Sequence, residues 1–155
     1  MPVRLCSYLI FLFFLSVSGF SYARCGDKDY IDKMTEIVEA KKEKIGGLAL
    51  KIPTSIAVAQ AVLETGYGES KLARTKNNHF GLRSKNGYYS FLTVKQGVLF
   101  YLENLIEGPY YSKFQNLLKK GEKRESVLLK SIASIYAEDD DYQSKLAFVI
   151  KVCRL

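Results

Sequence analysis

One glutamate stands apart from the other acidic residues of the sequence. Glu64 follows a nine-residue run that contains one strongly polar side chain, Gln60. Apolar surroundings and a place in the last turn of a helix, where the helix dipole is negative, both disfavour an ionised carboxylate. Both effects would raise the pKa of Glu64, which suits a general acid near neutral pH. The alternative is a solvated glutamate at a frayed helix end, and spacing alone does not separate the two.

The helix that carries Glu64 is predicted over residues 56–64. Pro53 and the two hydroxyl residues after it are typical of a helix N-terminus. The segment is small and apolar nearly all round, so we expect it to be buried at the centre of the domain. Gly66 and Gly68 end the helix. These two glycines leave room for a substrate to approach the backbone beside Glu64.

The remaining elements are helices and one hairpin. Hydrophobic periodicity predicts helices at residues 29–44, 94–106, 111–119, 126–136 and 141–152. Asn86-Gly87 lies between two short strand-like runs, residues 80–85 and 88–92, which is a strong hairpin signal. We therefore expect a mainly α domain with a small β-hairpin lobe, an architecture that suits the binding of an extended polymer.

Residues 1–23 are predicted to be a secretory signal peptide. Arg4 supplies the positive n-region, residues 9–15 form an apolar core, and small residues precede a cleavage site after Ala23. The apolar run is shorter than the about 20 residues that span a bilayer, so a retained anchor is the less favoured alternative. The mature domain would be residues 24–155, exported to the periplasm or cell envelope, with no stable membrane insertion after the signal is removed.

Two cysteines remain in that mature domain. They are Cys25 near its start and Cys153 near its end, because Cys6 lies in the signal segment. An even count in an exported chain predicts one disulfide that ties the termini together. Two buried free thiols are the alternative.

The chain is basic, with a formal charge of +7, which becomes +6 when Arg4 is removed. A positive balance suits an anionic partner such as the cell wall, an anionic membrane face or nucleic acid. No basic block alternates with aromatic residues in the manner of nucleic-acid readers, so we rank nucleic acid last and expect none. Nothing in the sequence indicates an oligomer, and a monomer is expected.

The sequence predicts no metal and no cofactor. His79 is the sole histidine, and a metal site would need further ligands of matching spacing. The acidic run at residues 138–141 lacks the alternating ligands and distal glutamate of a calcium loop. Capping of the last helix is the expected use of that run.

Three ordered blocks carry a family likeness. They read PTSIAVAQAVLETGYGES at residues 53–70, NNHFGL at residues 77–82, and YAED at residues 136–139 followed by Tyr142 and Lys145-Leu146. Together they resemble the bacterial glucosaminidase family, which includes the muramidase-like domain of the flagellar rod protein and the Bax-type periplasmic proteins. The resemblance covers about residues 50–152. Thr65 and Tyr67 replace the usual serine and tryptophan of the family pattern.

The resemblance implies a lysozyme-like helical fold and hydrolysis of β-1,4 bonds after N-acetylglucosamine in the glycan strands of peptidoglycan. It implies that Glu64 is the general acid and that Tyr136 lies opposite, near the anomeric carbon. The residues it suggests for substrate binding are Tyr67, Asn77, Asn78, Tyr88, Tyr89 and Tyr142. Hairpin packing is the alternative for Tyr88 and Tyr89, and turn formation is the alternative for Asn77 and Asn78.

Glycosidases commonly use two carboxylates, and this sequence departs from that pattern. Residues 70–102 contain no Asp or Glu, although some family members carry an acid in the hairpin lobe. Either the acetamido group of the substrate acts as nucleophile, which we favour, or Tyr136 positions water with another acid such as Asp139. A lytic transglycosylase and a non-catalytic peptidoglycan-binding domain remain the alternative functions.

Overall fold

The computed structural model describes residues 25–135 and 141–155. Within these residues it contains seven α-helices, two 3-10 helices (Gly47–Lys51 and Pro109–Tyr111) and one two-stranded antiparallel sheet. The elements are α1 (Lys28–Ile45), α2 (Thr54–Thr65), α3 (Lys71–Lys76), β1 (Arg83–Ser84), β2 (Gly87–Tyr88), α4 (Val94–Glu107), α5 (Ser112–Lys119), α6 (Glu125–Ala133) and α7 (Tyr142–Cys153). The predicted mainly α domain with a small hairpin lobe is confirmed.

Helix α2 lies at the centre of the domain. Every residue from Ile56 to Val62 is buried, and the helix packs against α1 on one side and α7 on another. A helix that is apolar all round stabilises the fold only when each of its faces is covered. The predicted burial of this segment is therefore confirmed. Glu64 lies two residues after Val62, where the continuous buried stretch ends.

Helix α3 is absent from the sequence prediction. It is six residues long, and Ala73 is its one buried residue, so it has no apolar period to detect. Local hydrogen bonds define its two ends instead. Ser70 caps the start by accepting from Ala73 N at 3.1 Å, and Asn77 ends the helix in the left-handed conformation.

Helix α6 ends at Ala133, earlier than the predicted end at residue 136. The hydroxyl of Ser131 donates to Leu128 O at 2.7 Å, and that of Ser134 donates to Ser131 O at 3.0 Å. Serine hydroxyls that bond the preceding turn compete with the helical hydrogen bonds, which accounts for the early end.

The hairpin differs from its prediction in register. Arg83 pairs with Tyr88 and Ser84 pairs with Gly87, so the connecting residues are Lys85 and Asn86 rather than Asn86-Gly87. The ladder is also much shorter than the predicted runs. Gly87 has a φ of 116°, a value that favours glycine, and it opens the second strand.

The two ends of the described domain are joined by a disulfide between Cys25 and Cys153, as predicted. Cys25 precedes α1, and Cys153 is the last residue of α7. The bond therefore links the two helices that cover α2. Among residues 25–135 and 141–155, no helix has the length and apolar content needed to cross a membrane. The predicted signal peptide lies outside the described residues.

Replacing both cysteines by serine is expected to lower the free energy of unfolding by about 4 to 5 kcal/mol, because the bond closes a loop of 128 residues. This corresponds to a fall in Tm of roughly 15 °C. Denaturant unfolding of the variant and of wild type, with and without a thiol reductant, measures the effect. Equal midpoints for oxidised and reduced wild-type protein would contradict the prediction.

Candidate active site

Glu64 lies in the last turn of α2 and is half-buried. Its Oε1 accepts a hydrogen bond from the Tyr142 hydroxyl at 3.1 Å, so the carboxyl group contacts the first residue of α7. Its Oε2 faces Gly81, where a Cβ atom would stand 3.1 Å from that oxygen. The carboxyl group is thus held between α7 and the chain that leads into the hairpin lobe.

Two further side chains connect Glu64 to the interior. Gln60, one turn earlier on α2, donates from Nε2 to the Tyr142 hydroxyl at 3.1 Å. Tyr101 of α4 donates its hydroxyl to Gln60 Oε1. All three partners are almost fully buried, since Tyr101 and Gln60 are 1% exposed and Tyr142 is 2% exposed. Helices α2, α4 and α7 therefore meet in one hydrogen-bonded chain that ends on Glu64.

Both tyrosines of this chain keep their protons. Burial raises the pKa of Tyr142 well above the usual value for tyrosine, and the charge of Glu64 raises it further. Burial likewise raises the pKa of Tyr101 well above its usual value, with smaller contributions from Tyr111 and Glu64. Neither hydroxyl ionises near neutral pH, so each has a hydrogen to donate.

A second polar group supports the turn that follows Glu64. The Thr65 hydroxyl donates to Ala61 O at 2.6 Å and accepts from Gly68 N at 2.8 Å. The Tyr30 hydroxyl lies 3.3 Å from Thr65 Oγ1 and 2.9 Å from His79 Nδ1. Burial, with the nearby charge of Lys33, lowers the pKa of His79 and favours the neutral imidazole. This histidine is part of the packing behind the turn.

Tyr67 has a packing role beside the disulfide. Its hydroxyl accepts from Gly26 N at 2.9 Å and lies 3.7 Å from Cys153 Sγ. Its backbone is in the left-handed region, with φ of 61°. These contacts connect the turn after α2 to both ends of the domain, while a contact between Tyr67 and substrate stays a prediction.

The two asparagines brace the hairpin lobe. Asn78 is fully buried, donates to Leu82 O at 2.9 Å and to Tyr89 O at 3.0 Å, and accepts from Leu82 N at 2.9 Å. Both amide hydrogens of Asn78 are used inside the lobe, so its predicted contact with a sugar is corrected to a structural role. Asn77 donates to Phe91 O at 3.0 Å, and a substrate contact for it remains a prediction.

The two hairpin tyrosines, Tyr88 and Tyr89, differ in exposure. Tyr88 is exposed, and the Arg83 guanidinium lies 4.7 Å from the centre of its ring. Tyr89 is half-buried, with its ring 4.8 Å from that of Phe100 and 6.2 Å from that of Phe91, measured between centroids. Tyr89 therefore fits the packing alternative, and Tyr88 presents the exposed ring that sugar stacking requires.

The residues gathered around Glu64 only partly match the predicted set. Tyr142 is buried and bonded to Glu64, so its predicted contact with substrate is corrected to a contact with the carboxylate. Tyr136 and Asp139 lie outside the described residues, and their roles stay predictions. Tyr101 and Gly81 were missed. The sequence contains a signal for each of them. Tyr101 lies on the apolar stripe of α4, and Gly81 lies in the NNHFGL block.

A central helix that ends at a half-buried glutamate beside a small β-hairpin lobe is the arrangement of a lysozyme-like helical fold. The catalytic domain of the autolysin Auto from Listeria monocytogenes has the same fold, with a TM-score of 0.66 and 20% sequence identity over 91% of this chain and 89% of that one. The model of the Glucosaminidase family, described as mannosyl-glycoprotein endo-beta-N-acetylglucosaminidase, matches residues 46–155. The chain belongs to this family of glycoside hydrolases, as its sequence blocks predicted.

A curated relative agrees with this assignment. Protein bax of Escherichia coli K12 is 40% identical over an alignment of 75 residues, and the match covers 41% of this chain and 27% of bax. The chain thus matches about a quarter of the length of that relative.

Replacing Thr65 by valine is expected to lower the free energy of unfolding by about 1 to 2 kcal/mol, because the Gly68 N–H loses its hydrogen-bond acceptor. Thr65→Ser keeps that acceptor and is the matched control, with an expected loss less than half as large. Urea unfolding of the three proteins measures both effects. Equal stability of the valine variant and wild type would show that the hydroxyl does not support the turn.

Proposed function

We propose that this protein is an exported peptidoglycan hydrolase that cleaves β-1,4 glycosidic bonds after N-acetylglucosamine, with Glu64 as general acid. Membership of the glucosaminidase family supports the bond type, and likeness to the catalytic domain of an autolysin supports the cell wall as substrate. The observation that carries the proposal is the Glu64 carboxyl group, half-buried at the end of α2 and bonded to Tyr142.

Glu64 protonates the glycosidic oxygen as the bond from that oxygen to the anomeric carbon breaks. The hairpin lobe supplies no second carboxylate, since residues 70–102 contain neither Asp nor Glu. This supports attack on the anomeric carbon by the acetamido oxygen of the substrate, a known exception to the two-carboxylate rule. Water, deprotonated by the Glu64 carboxylate, then opens the cyclic intermediate and restores the proton of Glu64. Tyr136 is proposed to lie near the anomeric carbon.

Export is the second part of the proposal. Residues 1–23 have the charged and apolar segments of a secretory signal. The Cys25–Cys153 disulfide fits an oxidising compartment such as the periplasm. The basic charge of the chain favours an anionic polymer such as the cell wall.

Replacing Glu64 by glutamine is expected to reduce the digestion of purified sacculi at least 100-fold, because an amide has no acidic proton to give. Helical circular dichroism and Tm stay within the range of wild type. Glu69→Gln is the matched control, because the Glu69 side chain is 75% exposed and forms a surface pair with Arg74. We expect this control to retain full activity. Wall digestion by the Glu64 variant at the wild-type rate would rule out its role as the acid.

The absence of a carboxylate from residues 70–102 also favours a second candidate, a lytic transglycosylase, which works with one glutamate. The two reactions differ in their products. Hydrolysis after N-acetylglucosamine leaves reducing N-acetylglucosamine ends, and this is the expected result when fragments released from sacculi are identified by mass spectrometry. Fragments with 1,6-anhydro ends would instead identify a lyase. Binding to sacculi without any released fragment would identify a non-catalytic domain.

A further inference from the structure

Residues 70–102, which include α3, the hairpin and most of α4, form a basic segment. They contain six basic side chains and no Asp or Glu. Of the 23 basic residues of the chain, Arg4 lies in the predicted signal peptide, and the 16 that remain outside the segment are matched by the 16 acidic residues. The whole positive surplus of residues 24–155 therefore lies in the basic segment. Such a concentration of charge attracts an anionic partner to that part of the surface.

The basic side chains of this segment are exposed or half-buried. Arg74 pairs with Glu69 at 3.6 Å. The other five form no ion pair with any of residues 25–135 and 141–155, and they are Lys71, Lys76, Arg83, Lys85 and Lys95. Phe91 N donates to Lys76 O at 2.9 Å, so the end of α3 lies beside the chain that leaves the hairpin. The unpaired charges are therefore distributed around the hairpin.

Arg83 has the most defined geometry of these residues. Its guanidinium lies 4.7 Å from the centre of the Tyr88 ring, and the two residues are directly opposite in the β-ladder. Stacking on the ring holds the plane of the guanidinium, while the N–H groups at its edge can still donate to an anion. Two parallel N–H groups fit the two oxygens of a carboxylate. The pair thus combines an exposed aromatic ring with an oriented carboxylate-binding group.

This pair lies next to the candidate active site. Gly81 faces Glu64, since a Cβ atom on Gly81 would stand 3.1 Å from Glu64 Oε2. Arg83 follows two residues later, and two residues of extended chain span at most about 7 Å. A glycan strand bound at Glu64 is therefore within reach of Arg83 and Tyr88.

We propose that Arg83 and Tyr88 form a specificity subsite for the peptide-bearing sugar of the glycan strand. The Tyr88 ring lies against the sugar, and the Arg83 guanidinium binds a carboxylate of the attached stem peptide. Alternate sugars of peptidoglycan carry such a peptide, with free carboxylates. The inference rests on the proposed function, because that function places the strand at Glu64. The other charges of the basic segment attract the strand at long range and are screened by salt.

The test measures the Kd of soluble glycan strands by calorimetry in the Glu64→Gln background, so that no strand is cut. Native strands keep their stem-peptide carboxylates. Matched strands have these carboxylates converted to methylamides, and the amines are acetylated in both samples. We expect Arg83→Gln to weaken binding of the native strands about fivefold at low ionic strength, as for an exposed ion pair, and to leave the methylamide strands unchanged. An equal loss on both kinds of strand would overturn the proposal, as would no loss on either.

Tyr88→Leu separates the ring from the charge. The ring contacts the sugar whether or not the peptide is charged, so we expect binding of both kinds of strand to weaken about fivefold. Unchanged binding of both kinds would overturn the assignment of Tyr88 to the subsite.

Lys44→Gln is the matched control for the loss of one exposed positive charge. Lys44 lies in the last turn of α1, and its neighbour Lys42 donates to Thr54 Oγ1 at 2.7 Å, at the start of α2. That start is ten residues, or about 15 Å, from Glu64 along the helix. We expect the control to bind both kinds of strand as its parent does. A loss equal to that of Arg83→Gln would mean that overall charge attracts the strand, which would overturn the subsite.

Arg83→Lys keeps the charge but lacks the planar fork of the guanidinium. We expect about a twofold loss of affinity, confined to the native strands. If circular dichroism shows that Arg83→Gln does not fold, this variant decides. A loss confined to native strands supports the subsite, and equal behaviour on both kinds of strand overturns it.

An anionic membrane is the rival partner for a basic surface. Vesicles with equal parts of phosphatidylglycerol and phosphatidylcholine are the probe. If Arg83→Gln loses affinity for these vesicles but binds native strands as its parent does, the surface binds membranes and the proposal is overturned. We expect the reverse, a loss on native strands that exceeds any loss on vesicles.

Turnover separates this inference from the proposed function. If the wild-type protein releases no fragments from sacculi, the proposed hydrolase fails, while the binding comparison still decides the role of Arg83. In a protein that does cut, we expect Arg83→Gln to raise KM for native strands about fivefold with kcat unchanged, because Arg83 binds the stem peptide and not the reacting atoms. A fall in kcat at unchanged KM would contradict a binding role.

Discussion

The structure depends on the need to satisfy one buried amide. Gln60 is the polar residue in the otherwise apolar buried stretch of α2, and an amide buried without partners costs about 2 kcal/mol or more. Tyr101 from α4 and Tyr142 from α7 supply its partners. The packing that meets this requirement also places a hydroxyl against Glu64. Stability of the helical core and geometry of the candidate active site therefore share the same contacts.

The hairpin lobe is organised by a different buried amide. Asn78 bonds the backbone of Leu82 and Tyr89, so it joins the two sides of the hairpin where the short β-ladder does not. The lobe presents Gly81 to Glu64 and carries no acidic residue between positions 70 and 102. The lobe therefore places a glycine backbone beside the Glu64 carboxyl group and exposes the ring of Tyr88.

The sequence could predict those features that depend on local pattern. The burial of α2 followed from apolar residues on every face, and the Cys25–Cys153 pair followed from their even count. The contacts of Gln60 with Tyr101 and Tyr142 join residues 41 and 82 positions apart, so they depend on how whole helices pack. The predicted Asn86-Gly87 turn was wrong, because the ladder pairs Ser84 with Gly87 and so makes Gly87 part of the second strand.

The disulfide connects the contacts around Glu64 to the two ends of the described domain. Cys153 closes the same helix, α7, whose first residue is the Tyr142 that contacts Glu64. On the other side of Glu64, Tyr67 follows the end of α2 and bonds Gly26, the residue after Cys25. The covalent bond thus restrains both the helix that carries Tyr142 and the turn that ends α2. A small domain gains rigidity in this way without enlarging its core, because the cross-link acts on the two segments that flank the proposed acid.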